Sequence, residues 1–175
     1  GVLLHELVPL HLMKITRGRF RPGALKTEKD IHCTEDNRWS VEIKCSSHKD
    51  NIFANRSYGQ KNSTEAKKNK DGYYLAINFD KQTTDTETTP SVRLIRLGYL
   101  DHADWSPQSA ATGQNSTLPK YMYSSRFITL FNFSLGKELD NCRLRLNLSF
   151  NPLQALGGRV EIAFIQLETK KTPPI

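Results

Sequence analysis

The chain has 175 residues, 37% hydrophobic and 25% charged, with a formal net charge of +7 and a pI near 9.4. That is the length of one domain able to bury a real core, and the absence of any run of about 18 apolar residues excludes a membrane span. The excess of Lys and Arg favours a polyanionic partner such as nucleic acid.

In chain order, apolar residues at Leu3, Leu4, Leu7, Val8, Leu10, Leu12, Met13 and Ile15 predict a first helix, broken by or beginning near Pro9. The opening Gly1-Val2-Leu3-Leu4-His5-Glu6 lacks the pattern of a signal peptide. A basic stretch over 17–29 carries the turn signal Pro22-Gly23. Residues 30–33 predict a short strand. A clearer one spans 38–45, where Trp39, Val41, Ile43 and Cys45 alternate with Arg38, Ser40, Glu42 and Lys44. Glu35-Asp36-Asn37 between them reads as a hairpin turn.

The polar stretch 55–70 is expected to be helical, with a thin apolar face made mainly of Tyr58 and Ala66. Residues 73–79 form an apolar run, expected to be a buried central strand. A Thr- and Asp-rich loop over 81–89 closes at Pro90, and 91–99 predicts another strand. Residues 101–119 show no period and read as a long loop; 126–133 is again strand-like. Beyond this, Cys142, Leu144, Leu146, Leu148 and Phe150 alternate with Arg143, Arg145, Asn147 and Ser149, and Val160, Ile162 and Phe164 follow in the same style. This predicts a terminal β-hairpin. The expected organisation is a core over 1–130 and a β-rich extension over 131–175.

The cysteines, Cys33, Cys45 and Cys142, are odd in number and form no CxxC pair. They indicate neither a disulfide scaffold nor a zinc knuckle, and favour a reducing compartment. Five N-x-S/T sequons, at Asn55, Asn62, Asn115, Asn132 and Asn147, would be glycan sites in a secreted protein. A chain rich in Asn, Ser and Thr also produces them by chance, and without targeting or disulfide signals chance is the favoured origin.

Period two places Glu42 and Lys44 on one face of one strand. Asp30 lies in the preceding strand, across a short turn. If the two strands pair, both carboxylates and the ammonium meet at one end of a hairpin. Two carboxylates there would bind a hard divalent cation through oxygen. The cation would polarise a phosphate oxygen and acidify a water; Lys44 would orient that water and offset developing charge. These are the parts that phosphodiester hydrolysis requires. The expected metal set is Asp30 and Glu42, with Mg²⁺ as the expected cofactor. Glu28 is a rival for the first acid. The bland alternative is a solvated strand face.

The order helix, strands carrying Asp and Glu-x-Lys, helix, buried strand resembles the αβββαβ core of the PD-(D/E)XK nucleases. Glu42-Ile43-Lys44-Cys45-Ser46-Ser47, then Asn51-Ile52-Phe53-Ala54-Asn55-Arg56-Ser57-Tyr58-Gly59-Gln60, resembles the ScaI-type restriction endonuclease family. So does Gly98-Tyr99-Leu100-Asp101-His102-Ala103-Asp104-Trp105, with Ala111-Thr112-Gly113-Gln114 after it. The similarity covers roughly residues 1–130. The first acid departs from the superfamily's pattern, standing in Glu28-Lys29-Asp30 with no proline before it.

The resemblance implies an α/β fold with a central mixed sheet, and a bacterial or phage-related cytoplasmic enzyme. It would cut double-stranded DNA site-specifically as a homodimer, with Ile43 joining Asp30 and Glu42 in the metal set. Glu6, on the first helix, stands where many of these nucleases place an extra carboxylate, or is an exposed helix acid. Gln60 would reach the reacting water or DNA. Ser46, Ser47, His48, Lys49 and Asn51 follow the catalytic strand, near the expected scissile phosphate. Arg56 is the preferred phosphate contact of a basic run including Lys61, Lys67, Lys68 and Lys70; Tyr58 is also assigned to DNA. Asp101, His102 and Asp104 have the chemistry of zinc ligands, but more often build a turn. In the family-like segment Asp101, His102 and Gln114 would face DNA, and the amides of Gln108, Gln114 and Asn115 suit adenine edges. Arg143 and Arg145 would touch DNA or keep a sheet edge soluble. The competing functions are a repair or recombination nuclease reading structure, and a non-enzymatic nucleic-acid-binding module.

Overall fold

A computed structural model describes residues 1–59, 69–81, 92–109 and 113–133. The expected first helix is α1 (Val2–Ile15), and it runs through Pro9 without a break. A proline there removes one helical hydrogen bond. The compensation is burial: Pro9 and Leu12 are buried, and Leu4, Val8 and Leu12 pack into the main core.

After α1 come β1 (Phe20–Pro22), β2 (Ile31–Cys33) and β3 (Val41–Ser46). Then follow β4 (Phe53–Asn55), β5 (Gly72–Phe79), β6 (Val92–Leu100), β7 (Ser106–Pro107) and β8 (Asn115–Thr117). A short helix α2 (Lys120–Ser125) and strand β9 (Phe127–Asn132) complete the described chain. Among the described residues, six strands form a mixed sheet in the order β1-β2-β3-β5-β6-β9, in which β3 and β5 run parallel and the other neighbours antiparallel. This is the α/β architecture expected from the sequence, consistent with a restriction-endonuclease-like fold. A second, three-stranded sheet has the order β4-β8-β7.

The central strand β5 explains the layering. Its Tyr73, Leu75 and Ile77 join Val41, Ile43 and Leu12 in one core; Tyr74 and Ala76 join Ile52, Ala54, Leu100, Trp105, Leu118 and Met122 in another. Successive side chains of a strand point to opposite faces, so the sheet is covered on both. One face carries α1, the other the small sheet and α2. Each fully buried aliphatic such as Ile43 contributes about 2 kcal/mol to this packing.

Three local expectations are corrected. The strand expected from Arg38 begins at Val41, because Asn37–Trp39 forms a 3-10 turn. Side chains compete there with the sheet ladder. Asp36 accepts the Arg38 N–H at 2.9 Å, and Ser40 Oγ donates to Asn37 Oδ1 at 2.8 Å while accepting the buried Cys33 N–H at 3.0 Å. In the stretch expected to be a helix over 55–70, Asn55 ends β4 and Arg56–Gly59 is a 3-10 turn; residues 60–68 lie outside the described residues. The expected loop over 101–119 contains a 3-10 turn (His102–Asp104) and strands β7 and β8. Short two- and three-residue strands leave too little alternation to read in advance. The terminal hairpin, with Cys142, Arg143 and Arg145, lies outside the described residues. Among the described residues no helix is long and apolar enough to cross a membrane.

Candidate active site

Strand β3 carries the two outward members of the site. Glu42 is paired in register with Tyr74 of β5, and Lys44 with Ala76. Both therefore project on the face covered by the small sheet. Glu42 is only 4% exposed. Lys44 Nζ sits 2.8 Å from its Oε1, and the Tyr58 hydroxyl donates to the same oxygen at 2.8 Å. A buried carboxylate needs such partners to stay charged. The Lys44 ammonium also lies 4.6 Å from the centroid of the Tyr58 ring.

Asp30 precedes β2. Strands β2 and β3 pair at Ile31 opposite Val41. Past that pair the Asp30 side chain takes up the backbone: Oδ2 accepts the Ile43 N–H at 2.7 Å. In an extended strand the N–H and C=O of one residue point to the same side. The Ile43 carbonyl therefore points to the Asp30 side, away from β5. The Ile43 side chain is fully buried, so a main-chain oxygen is what this residue has to offer a cation. His5 of α1 approaches Asp30 Oδ2 at 3.6 Å through Nδ1.

The rival Glu28 is committed elsewhere. It takes a forked pair of bonds from Arg21 at 2.9 and 3.0 Å and accepts the N–H groups of Ala24 and Leu25. The Arg21 guanidinium and these backbone donors hold its carboxyl down at about 2. Glu6 is exposed, one residue from the His5 that faces Asp30. Gln60 lies outside the described residues.

Among the described residues, no group of three or more His, Cys, Asp and Glu side chains is disposed to hold a metal ion. A cation here would rest on the carboxylates of Asp30 and Glu42, the Ile43 carbonyl, and water. An all-oxygen set with few protein ligands suits Mg²⁺ and does not suit zinc.

The family model for the ScaI restriction endonucleases matches residues 1–131. The chain belongs to that family. It is 43% identical over 130 residues to the type II restriction enzyme ScaI of Streptomyces caespitosus, an alignment covering 74% of this chain and 57% of that protein. The chain thus spans less than two thirds of that relative's length. No solved structure matches it significantly.

In this member of the ScaI family, the segment after β3 is held from below. Asn78, fully buried on β5, donates through Nδ2 to the carbonyls of His48 at 2.8 Å and Asn51 at 3.0 Å. Arg96, 5% exposed on β6, donates to Asn78 Oδ1 at 2.9 Å and to the Asp50 carbonyl. Its guanidinium lies over the Tyr123 ring at 4.4 Å. Sequence reasoning overlooked Asn78, Arg96 and His5. The signals were present: an amide and an arginine inside apolar strands, and a histidine at helical spacing from Pro9 and Leu12.

The remaining candidates divide into inner and outer. Ser46 is buried, and its Oγ accepts the His48 N–H at 3.0 Å. Ser47 and Asn51 are half-buried and Lys49 is exposed. Arg56 is half-buried, its guanidinium 3.3 Å from the Gly113 carbonyl and its N–H on the Gln114 carbonyl at 2.7 Å. Asp101, His102 and Asp104 build a turn: Asp104 accepts the Asp101 N–H at 2.8 Å, and Asp71 accepts the His102 N–H at 2.6 Å. Gln114 and Asn115 are exposed at the start of β8, and the exposed Gln108 donates its N–H to the Asn115 carbonyl at 3.0 Å. The small sheet so collects three amide side chains on one rim.

Proposed function

We propose that the chain is the catalytic core of a site-specific, Mg²⁺-dependent endonuclease that hydrolyses phosphodiester bonds of double-stranded DNA. The observation that supports this reading is that β3 carries both the Ile43 N–H bound to Asp30 and, on the flanking residues, the Glu42–Lys44 pair, in a chain of the ScaI family. Asp30 and Glu42, with the Ile43 carbonyl, would hold the cation. Bound there, it would withdraw charge from a phosphate oxygen and make a water a better acid. Lys44 would orient that water and stabilise charge developing on the phosphate.

The segment 46–51, pinned by Asn78 and Arg96, would carry backbone and Lys49 contacts to the flanking phosphates, and Arg56 would supply a further one. The rim of Gln108, Gln114 and Asn115 would read base edges. A palindromic site has two scissile strands and each protomer one centre, which supports a homodimer. The family match over 1–131 supports taking 1–130 as the nuclease core. Such an enzyme would act in a bacterial cytoplasm, consistent with the free Cys33 and Cys45.

The test is plasmid cleavage at low salt with Mg²⁺, Ca²⁺ or EDTA, using the wild type and Lys44→Ala. Discrete fragments with Mg²⁺ alone, lost in the variant, are expected. Smearing without bands would instead mean a nuclease that reads DNA structure. Binding without cleavage in any metal would defeat the nuclease reading.

A further inference from the structure

Tyr58 stands in the family-like Asn55-Arg56-Ser57-Tyr58 segment, where the sequence makes it a DNA contact. Its surroundings argue for another task. The hydroxyl donates to Glu42 Oε1 at 2.8 Å, the same oxygen that Lys44 Nζ approaches at 2.8 Å. The Lys44 ammonium is 4.6 Å from the ring centroid, and Lys70 is 5.4 Å from it. An aromatic face attracts such a cation and narrows the conformations of a flexible lysine.

The ring is itself braced. It meets Trp105, 3% exposed, edge-on at 5.5 Å and 70°. Its turn is pinned to the small sheet: the Gly59 N–H donates to Ser116 Oγ at 3.0 Å, which donates in turn to the Arg56 carbonyl at 3.2 Å. Gly59 approaches Pro107 so closely that a Cβ there would stand 2.5 Å from Pro107 N. Lys70 donates to the Ser57 carbonyl. Burial, then the Glu42 charge, push the Tyr58 phenol far above its ordinary range, so it remains a donor.

We propose that Tyr58 is a positioning residue of the catalytic pair: its hydroxyl sets the Glu42 carboxylate and its ring face holds the Lys44 ammonium. This rests on the nuclease reading of Glu42 and Lys44. Its consequence is a mechanical link between the small sheet, with its rim of amides, and the hydrolytic centre. A site held by rigid supports keeps its productive geometry.

Tyr58→Phe keeps the ring and loses the hydroxyl; Tyr58→Leu loses both. Single-turnover cleavage, duplex affinity in Ca²⁺, and the NMR resonances of the Lys44 ε-methylene protons are measured for each folded variant. We expect Tyr58→Phe to slow single-turnover cleavage about tenfold, with duplex Kd within about twofold of wild type. Tyr58→Leu should slow it about a hundredfold. The upfield ring-current shift at Lys44 should be present in the wild type and Tyr58→Phe and absent in Tyr58→Leu. Weakened duplex binding with a wild-type rate at saturation would overturn the proposal in favour of a DNA contact, as would no ring-current shift in the wild type. If the wild type cleaves nothing, the nuclease reading falls alone, and the resonance decides whether Tyr58 holds Lys44.

Discussion

The N–H of Ile43 donates to Oδ2 of Asp30 at 2.7 Å, so the Asp30 carboxylate is tied to the residue that lies between Glu42 and Lys44. The two strands part after the Ile31–Val41 pair, and the Asp30 carboxylate replaces the next rung of the ladder. A main-chain donor left open by the parting strands would be costly if buried; here it orients a carboxylate. The same parting leaves the Ile43 carbonyl pointing to the Asp30 side.

Lys44→Ala should lower single-turnover cleavage by at least about a hundredfold. Duplex affinity in Ca²⁺ should stay within about threefold, since one phosphate contact of many is lost. Lys44→Arg should not restore the rate, because a planar fork cannot replace a point charge beside Glu42 and Tyr58. Rapid-quench cleavage with saturating enzyme checks this; a wild-type rate in the alanine variant would rule out Lys44 as a reacting group.

Asp30→Asn retains an acceptor for the Ile43 N–H but removes a charge. The fold should persist, shown by an unchanged circular dichroism spectrum. Mn²⁺ affinity by titration calorimetry should fall more than about tenfold. Undiminished Mn²⁺ binding would place the cation elsewhere.

Asn78→Ala removes two donors to main-chain carbonyls and the acceptor for Arg96, all buried. A loss of about 2–4 kcal/mol of stability in urea unfolding is expected, more than a typical single hydrogen bond. Arg96→Met should couple to it: the double variant should cost less than the sum of the singles. Strict additivity would show that the two do not form one latch.

Glu28 carries a pH prediction. Its folded carboxyl, held near 2 against an ordinary 4.5, binds its proton later than in the unfolded chain. Its contribution to stability is therefore full above about 4.5, declines as pH falls below that, and is gone near 2. The stability difference between wild type and Glu28→Gln, followed by urea unfolding across pH, should shrink over that window. A difference constant down to pH 3 would contradict the Arg21–Glu28 assignment.

Strand faces were legible because period two is a property of the extended backbone itself: Glu42 and Lys44 had to share a face once β3 was recognised. The buried central strand showed in its unbroken apolar run, and α1 in its helical spacing, although Pro9 obscured its continuity. The start of β3 was misread at Arg38 because Asp36, Asn37 and Ser40 side chains draw the backbone into a 3-10 turn, which alternation does not register. Sequence alone thus determined the family, the first helix, the buried central strand and the strand that carries Glu42 and Lys44, but not the 3-10 turns or the short strands β4, β7 and β8. Only the tertiary structure committed Glu28 to Arg21, brought His5 to Asp30, and set Tyr58 against Glu42. Those outcomes depend on contacts between residues distant in the chain or on which neighbour a turn consumes. They are fixed by how packed elements meet, not by the local propensities that a sequence displays.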